Sequence, residues 1–265
     1  MLEQIVLRKK QELTHRKASL SLNQILRRIS TPPPPSFRQT ISPPGINIIS
    51  EIKYQSPSRG KFSCQLPPEQ LAEAYIENGA VALSVLTEKN YFAGDIEFLR
   101  KLSDWLSKDS GQPTPILRKD FIVDPYQIPE TRLYGASAYL LIVSCLTASE
   151  LHDLICYGRE FQLEALVEVH DPSELETAVE SGARIIGVNN RNLDTFKVDI
   201  HNSFDIAKRM EKTSGYVLVS ESGINEHLQI LELREAGFSA FLVGSTLMDS
   251  PDPGRTLRGL IHPNG

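Results

Sequence analysis

Apolar and polar positions follow a regular pattern along most of this chain. From residue 46 onward, a short apolar run is followed by a stretch whose apolar residues have helical spacing, and this alternation occurs eight times. Nearly uninterrupted apolar runs, such as residues 139–143, are typical of parallel strands that are buried on both faces. The predicted strands are 46–53, 81–87, 115–120, 138–144, 164–169, 184–189, 216–221 and 240–245. The pattern therefore predicts an α/β protein.

The junctions between predicted helices and strands indicate how the strands are arranged. Several helical stretches end in a glycine that leads directly into the next strand, and glycine just past a helix end readily adopts the left-handed conformation that stops the helix. These glycines are Gly79, Gly135, Gly182 and Gly237. Eight strand–helix units in about 220 residues predict a single (β/α)8 TIM barrel. An open doubly wound sheet is the alternative, but its dinucleotide-binding form would carry a Gly-rich loop after the first strand, and none is present.

A separate segment precedes the predicted barrel. Residues 1–30 carry two apolar stripes with helical spacing. The four prolines at 32–35 follow, and such a run ends a helix and favours a stiff, extended conformation. We therefore interpret residues 1–45 as an N-terminal helical extension with a proline-rich linker, and residues 46–265 as the barrel domain on which the extension packs.

Composition and charge narrow the range of partners. The chain has 265 residues, a formal net charge of −5 and a pI near 5.7, which argues against a nucleic-acid partner. Its three cysteines, Cys64, Cys145 and Cys156, lack metal-binding spacing and are interpreted as reduced thiols. No run approaches the roughly 18 apolar residues that a membrane span requires. We expect a cytoplasmic protein without a membrane partner, monomeric or at most a weak homodimer.

Polar residues accumulate where the predicted strands end. In a (β/α)8 barrel the carboxyl ends of all strands converge on one pocket. The first strand ends in Glu51 and Lys53, which the two-residue period of a strand places on one face. Later strand ends carry Thr87, Glu88, Lys89, Phe92, Arg118, Lys119, Asp120, Phe121, Glu168, His170, Asn189, Asn190, Arg191, Glu221 and Ser222. Pairing with a neighbour would explain any one of these charges, but so many rarely gather without a function.

The last two strand ends predict a phosphate site. Gly223, Gly244 and Ser245 are small, so backbone N–H groups there can face a phosphate, although an ordinary tight turn would explain any single glycine. The sequence contains no HExxH or DxDxDG motif. We therefore expect a small phosphorylated substrate and Lys/Glu acid–base chemistry with no metal and no cofactor. His170, beside Glu168, is as readily a spacer as a participant.

Seven motifs resemble those of the indole-3-glycerol phosphate synthase family, and they occur in the family's order. They are EIKxxSPSxG at 51–60, LTEKxYFxG at 86–94, LRKDFI at 117–122, LVEVH at 166–170, NNRxL at 189–193, VSESGI at 219–224 and VGSxLM at 243–248. The resemblance implies a carbon–carbon lyase (carboxy-lyase) of tryptophan biosynthesis. Such an enzyme converts 1-(2-carboxyphenylamino)-1-deoxyribulose 5-phosphate to indole-3-glycerol phosphate by ring closure, decarboxylation and dehydration, without a cofactor or metal.

The resemblance also implies catalytic roles for individual residues. Lys119 resembles the general acid that protonates the ribulose carbonyl, and an ammonium suits this role because the developing negative charge needs a donor in a dry site. Glu168 resembles the general base of the dehydration. The other implied catalytic residues are the paired acid and cation Glu51 and Lys53, and the orienting residues Asn189 and Glu221.

Substrate contacts are implied in the same way. Arg191 resembles the partner of the anthranilate carboxylate, because a planar guanidinium fits a carboxylate. Polar substrate contacts are implied for Ser56 and Ser222. The residues implied to wall the aromatic ring are Phe92, Phe121, Leu140 and Leu193. The implied phosphate site consists of Lys53, Gly223, Gly244 and Ser245.

Two other functions remain open at this point. Another phosphate-binding barrel enzyme, such as phosphoribosylanthranilate isomerase, would need a Cys/Asp acid–base pair at its strand ends, whereas the first strand here ends in Glu51 and Lys53. A non-catalytic barrel that serves as an assembly partner would be expected to have lost Lys119 or Glu168, and both are present. The residues therefore favour the synthase.

Overall fold

Eight parallel strands close into a barrel in the computed structural model, which describes residues 2–30, 32–108, 113–193, 195–210 and 214–263. The barrel strands are β1 (Asn47–Ile52), β2 (Ala80–Leu86), β3 (Ile116–Lys119), β4 (Ala138–Ile142), β5 (Glu164–Val169), β6 (Ile185–Asn189), β7 (Val217–Glu221) and β8 (Ala240–Val243). Each strand pairs in parallel with its neighbours in sequence, and β8 pairs with β1 through Ala240 and Asn47. The predicted (β/α)8 barrel is confirmed.

Helices connect the strands and surround the barrel. They are Leu2–Ser19, Leu22–Arg28, Phe37–Thr40, Pro68–Glu77, Lys89–Phe92, Glu97–Lys108, Gln127–Leu133, Ala148–Glu160, Pro172–Glu180, His201–Met210, His227–Glu235, Ser245–Met248 and Pro253–Ile261, with a 3₁₀ turn at Val143–Cys145. A short hairpin, Gln55–Ser56 with Gly60–Lys61, follows β1. The four glycines predicted to stop helices all have positive φ, between 85° and 106°, so those predictions are confirmed.

Two predicted strands extend two residues past the observed carboxyl ends, and three others extend one residue past them. The strand predicted at 138–144 ends at Ile142, and the strand predicted at 240–245 ends at Val243. Val143 is apolar because it is buried in the 3₁₀ turn, so its hydrophobicity does not report a strand. Gly244 has a ψ of −66°, outside the strand region, and a short helix begins directly after it. Burial alone therefore misplaces strand ends.

The barrel interior is filled by side chains that point inward from the strands. Ile49, Leu117 and Leu166 are fully buried there, in contact with their neighbours around the ring. Phe37 and Ile41, at and just after the short helix Phe37–Thr40, belong to the same buried cluster. A close-packed interior of this kind holds the strand ends rigidly. The polar residues at those ends are therefore carried on a fixed frame.

The N-terminal helices pack on the barrel through buried charges. The Lys9 ammonium lies 2.9 Å from a carboxylate oxygen of Asp120, and the Arg16 guanidinium lies 2.6 Å from Glu130. Leu13 and Ile25 form a small apolar cluster with Tyr126. The division into residues 1–45 and 46–265 stays a prediction. Residues 32–36 have no regular secondary structure, and residue 31, which precedes the prolines, lies outside the described residues.

Candidate active site

A cavity of about 830 Å³ opens at the carboxyl ends of the strands. Its volume suits a small organic ligand. Of the predicted site residues, the cavity is lined by Glu51, Lys53, Phe92, Lys119, Phe121, Leu140, Glu168, Asn189, Arg191, Leu193, Glu221, Ser222, Gly223, Gly244 and Ser245. The barrel therefore brings together residues that are up to 194 positions apart in sequence, and it leaves Ser56 outside the lining.

Lys119 stands between two carboxylates from other strands. Its ammonium donates to Glu168 Oε2 at 2.8 Å and also to Glu221 Oε2. The side chain of Lys119 is 12% exposed, while those of the two glutamates are 3% and 2% exposed. Burial disfavours the charged amine, but the two carboxylates outweigh this and raise the pKa of Lys119. Lys119 is therefore charged, and its ammonium can donate to a negatively charged group in the cavity.

The two glutamates that contact Lys119 differ in their acidity. Burial opposes ionisation of Glu168, but the charge of Lys119 and a contact from His170 outweigh it, so its pKa is lowered. Burial raises the pKa of Glu221 to about 7, and repulsion from Glu168 adds to this although Lys119 works against it. Neighbouring groups whose pKa values are pushed apart can divide acid and base roles between them.

Neighbouring residues hold these carboxylates in place. The Asn189 amide donates to Glu168 Oε1 at 3.1 Å. Glu221 Oε1 is buried without a hydrogen-bond partner in the described part of the chain. A Cβ atom at Gly187 would overlap this oxygen, so only glycine fits beside it on β6. Glu221 Oε1 thus has an unused position that a proton can take.

Glu51 and Lys53 form an ion pair at the end of β1. The Lys53 ammonium lies 2.6 Å from Glu51 Oε1, and the Ser84 hydroxyl lies 3.5 Å from the other carboxylate oxygen. A Cβ atom at Gly244 would overlap the Glu51 carboxylate, so glycine at the end of β8 makes room for it. Gly244 thus makes room for Glu51 and is also the first residue of the predicted phosphate site at the end of β8.

The predicted phosphate site consists of two short turns, one after β7 and one after β8. Ser222 and Gly223, directly after β7, have φ angles of 67° and 85°, which give a left-handed bend that is uncommon for serine. Gly244 begins the helix Ser245–Met248 and provides no side-chain cap. The first N–H groups of a helix have no acceptor within the helix, so an anion can take that place.

An apolar wall lies beside the charged groups. The rings of Phe92 and Phe121 have centroids 6.3 Å apart, and Leu140 and Leu193 also line the cavity. Phe92 ends a short helix whose backbone N–H groups at residues 90, 91 and 92 all donate to the buried carboxylate of Glu88. Glu88 therefore acts through backbone contacts that set the position of Phe92.

Arg191 and Ser56 differ in where the structure places them. Arg191 is half-buried in the cavity wall, and its guanidinium donates to the Phe196 carbonyl at 3.1 Å. Burial is the main cause of a lowered pKa for Arg191. Ser56 lies in the short hairpin, where its hydroxyl is 3.4 Å from that of Ser58. The turn of this hairpin lines the cavity through Pro57 and Arg59, while Ser56 itself does not.

The cavity also contains residues that the sequence did not indicate. Leu2 and Ile5, from the first helix, form part of its lining. Arg59 and Asp249, which form an ion pair, also line the cavity. The apolar stripe of the first helix predicted that it packs on something. Nothing in the pattern of this helix indicated that Leu2 and Ile5 would line the cavity.

The fold and the site define a (β/α)8-barrel enzyme with a lysine–glutamate centre at the carboxyl ends of its strands. The sequence model of the indole-3-glycerol phosphate synthase family matches residues 2–260. The chain therefore belongs to the indole-3-glycerol phosphate synthase family, as its motifs predicted. It is an enzyme of the decarboxylating lyase class, and the predicted enzyme class is confirmed.

Individual relatives agree with this assignment. An indole-3-glycerol phosphate synthase of Desulfotalea psychrophila is 40% identical over 265 residues, which cover 99% of both chains. The one from Carboxydothermus hydrogenoformans is 45% identical over 216 residues, covering 82% of this chain and 79% of that protein. The solved structure of a 3-hexulose-6-phosphate synthase from Salmonella typhimurium has a TM-score of 0.63 at 12% identity, covering 83% of this chain and 100% of that one. That last likeness shows the fold alone.

Within the described residues, no helix combines the length and the apolar character needed to cross a bilayer.

Proposed function

We propose that this chain closes the indole ring of 1-(2-carboxyphenylamino)-1-deoxyribulose 5-phosphate, with Lys119 as the general acid and Glu168 as the base of the dehydration. The products are indole-3-glycerol phosphate, carbon dioxide and water. The observation that carries this proposal is the position of the Lys119 ammonium, buried between Glu168 and Glu221 in the cavity wall. A charged donor in such a site stabilises negative charge on the reacting oxygen more strongly than water does.

The remaining polar residues support the later steps. Asn189 holds Glu168 through one oxygen, which leaves the other to exchange a proton with Lys119. Glu221, whose pKa is raised to about 7, can polarise a hydroxyl that leaves as water. Glu51 and Lys53 provide a paired acid and cation at the neighbouring strand end. Each step thus has a proton donor or acceptor within the same cavity.

Substrate binding divides between the two ends of the cavity. We assign Arg191 to the anthranilate carboxylate, because its planar donors fit a carboxylate. Ser222 would make a polar contact with the bound substrate. The aromatic ring would lie against Phe92, Phe121, Leu140 and Leu193, which line the cavity. The phosphate would be held by Lys53, Gly223, Gly244 and Ser245. Ser56 precedes Pro57, which lines the cavity, but Ser56 is not part of the lining, so its role stays a prediction.

Several expectations from the sequence belong to this proposal. A reaction without metal or cofactor, a cytoplasmic location and a monomeric or weakly dimeric state all stay predictions. Acid–base groups alone can account for the three steps, because each step moves protons or electron pairs within the substrate. A small phosphorylated substrate is consistent with the family.

A direct assay tests the proposed function. The purified chain is mixed with the carboxyphenylamino-deoxyribulose phosphate in EDTA, and indole-3-glycerol phosphate is followed by its fluorescence. We expect product from the wild-type chain, with EDTA making no difference. Well-folded wild-type protein that makes no product would overturn the proposal. Product that disappears with EDTA would overturn its metal-free part.

The role of Arg191 is tested by Arg191→Ala. We expect KM to rise by roughly 10-fold or more with a smaller change in kcat, because the lost contact is a charge-assisted one that is made before and during the reaction. Arg184→Ala is the matched control, since Arg184 is exposed and precedes the same strand at its opposite end. An unchanged KM for Arg191→Ala would remove it from carboxylate binding.

A further inference from the structure

His170 is a charged group beside the active site that the proposed mechanism does not use. It follows β5, and its Nε2 lies 3.4 Å from Glu168 Oε1. Its Nδ1 lies 3.0 Å from Glu174 Oε2, and its backbone N–H donates to the same oxygen at 2.7 Å. Glu174 is carried by the helix Pro172–Glu180. The ring of His170 is therefore held between a catalytic carboxylate and a second carboxylate outside the site.

These contacts continue inward to Lys119 and outward to solvent. Lys119 Nζ lies 2.8 Å from Glu168 Oε2, on the other side of that carboxylate from His170. The side chain of Glu168 is 3% exposed, that of His170 is 15% exposed and that of Glu174 is 18% exposed. Exposure thus rises step by step from the buried base outward. His170 Nε2 forms no hydrogen bond in the described residues, so the 3.4 Å separation from Glu168 Oε1 has to shorten for a proton to pass from His170 toward Lys119.

The proposed reaction needs a supply of protons, because it consumes one in each turnover. The substrate carboxylate leaves as neutral carbon dioxide and a hydroxyl leaves as water, so charge balance requires one proton from solvent in each turnover. The site gives one proton to the ribulose carbonyl and one to the leaving hydroxyl. It regains only one, when Glu168 takes a proton from the newly closed ring of the substrate. The site therefore ends each turnover one proton short.

We propose that the His170 imidazolium stores this proton and recharges Lys119 through Glu168, while Glu174 holds the ring in position. This inference rests on the proposed function. In the recharging step, Nε2–H of the imidazolium gives its proton to the Glu168 carboxylate at Oε1. The carboxyl group formed in this way rotates and gives the same proton to the neutral amine of Lys119, so Glu168 is a carboxylate again. The ring is left neutral with its remaining proton on Nδ1, facing Glu174. Solvent then restores the second proton before the next turnover.

The charges around His170 favour this direction of transfer. Burial works against a charged ring, but Glu168 and Glu174 outweigh it and raise the pKa of His170 to about 10. Cys145, from the adjoining 3₁₀ turn, stays neutral because burial and the same two carboxylates raise its pKa to about 12. The pKa of Lys119 is raised above its ordinary value of 10.5. A proton therefore moves downhill from His170 to an uncharged Lys119.

Pre-steady-state kinetics on His170→Ala and His170→Gln test the inference. A resting variant still carries a charged Lys119, so we expect a first turnover at about the wild-type rate. Later turnovers should be slower by roughly 10-fold to 100-fold, toward the lower part of the range for proton-transfer groups. Imidazole buffer should restore the later turnovers of His170→Ala. His152→Ala is the control, because His152 is exposed and lies on the helix Ala148–Glu160, outside the cavity lining.

Glu174→Gln tests the positioning role of Glu174, because the glutamine side chain has nearly the same shape and the His170 ring is still present. Its amide oxygen can still accept the His170 backbone N–H, but the negative charge that favours the imidazolium is lost. We expect the alkaline limb of the kcat profile to move to lower pH, and the ring of His170 to titrate at lower pH by NMR. The first turnover should keep its rate. This variant also serves if substitution of His170 itself prevents folding.

Three results would overturn the inference. Wild-type rates for all turnovers of both His170 variants would mean that water or Glu221 recharges Lys119. A first turnover slowed as much as the later ones, without rescue by imidazole, would mean that His170 only supports the structure. A wild-type chain that makes no product would instead overturn the proposed function, and the inference with it.

Discussion

Two charge clusters use successive residues of the same strand, β3, and they differ in kind. Arg118 is fully buried and points to the outside of the barrel, where it contacts Asp120 at 3.0 Å, Glu130 at 2.9 Å and Thr131 at 3.0 Å. Lys119 points into the cavity. The strand alternation separates the two clusters, because neighbouring side chains lie on opposite faces.

The buried carboxylates of the outer cluster are paired with cations, whereas one carboxylate oxygen of the inner cluster has no partner in the described residues. Burial opposes the charge of Asp120, but Lys9 and Arg118 outweigh it and hold its pKa well below the usual range. In the inner cluster Glu221 keeps an oxygen without a partner, and its pKa is raised to about 7. Pairing with cations fixes the charge of a carboxylate and supports structure, while an unpaired carboxylate oxygen leaves the group able to change its protonation state. The outer cluster therefore anchors the first helix, and the inner one is suited to chemistry.

The largest effect is expected from Lys119→Ala. Removing the ammonium should lower kcat by roughly 10²-fold to 10⁴-fold, because it removes the proposed general acid. The fold should survive, since Glu221 can bind a proton and relieve the repulsion between the two carboxylates that remain. The fluorescence assay and circular dichroism measure the two outcomes. Turnover near the wild-type rate would sink the role assigned to Lys119.

Arg118→Ala should damage stability rather than the chemical step. It leaves Asp120 and Glu130 buried without their main partner, and breaking a buried ion pair in this way costs about 3–5 kcal/mol. Urea denaturation measures the loss. If the free energy of unfolding falls by less than about 1 kcal/mol, the outer cluster is not the structural network described above.

Glu221→Gln tests whether the inner cluster makes the free energy of unfolding depend on pH. The pKa of Glu221 rises from 4.5 in the unfolded chain to about 7 in the folded one. Such a group stabilises the folded state below the unfolded pKa, and this stabilisation is lost as pH rises through the folded pKa. Between pH 4 and pH 8 the wild type should therefore lose roughly 1–3 kcal/mol relative to Glu221→Gln. Parallel stability curves for the two proteins would contradict the raised pKa.

The smallest effect is expected from Lys17→Ala. Lys17 lies on the same helix as Lys9 and pairs with Asp124. The side chain of Lys17 is 45% exposed, and that of Asp124 is 28% exposed. Exposed pairs contribute less than about 1 kcal/mol. A loss as large as that of Arg118→Ala would show that exposure does not separate the ion pairs of this helix.

Much of the fold and of the site could be predicted from local patterns. The apolar runs marked all eight strands, and the strand ends carried Glu51, Lys119, Glu168 and Glu221. Strand ends were misplaced at Val143 and Gly244, because burial requires apolar or small residues there whatever the backbone conformation. Local patterns report which residues are buried more reliably than where a strand stops.

The barrel and the kinds of groups at its strand ends follow from local properties of the chain, because the period of buried positions and the residues after them lie within single segments. Only the tertiary structure decided that Lys119 faces inward while Arg118 faces outward, and that Leu2 joins the cavity. It also decided that Glu168 and Glu221 differ in acidity. These outcomes depend on distances between residues far apart in sequence and on burial, which set the Coulomb and desolvation energies of each group.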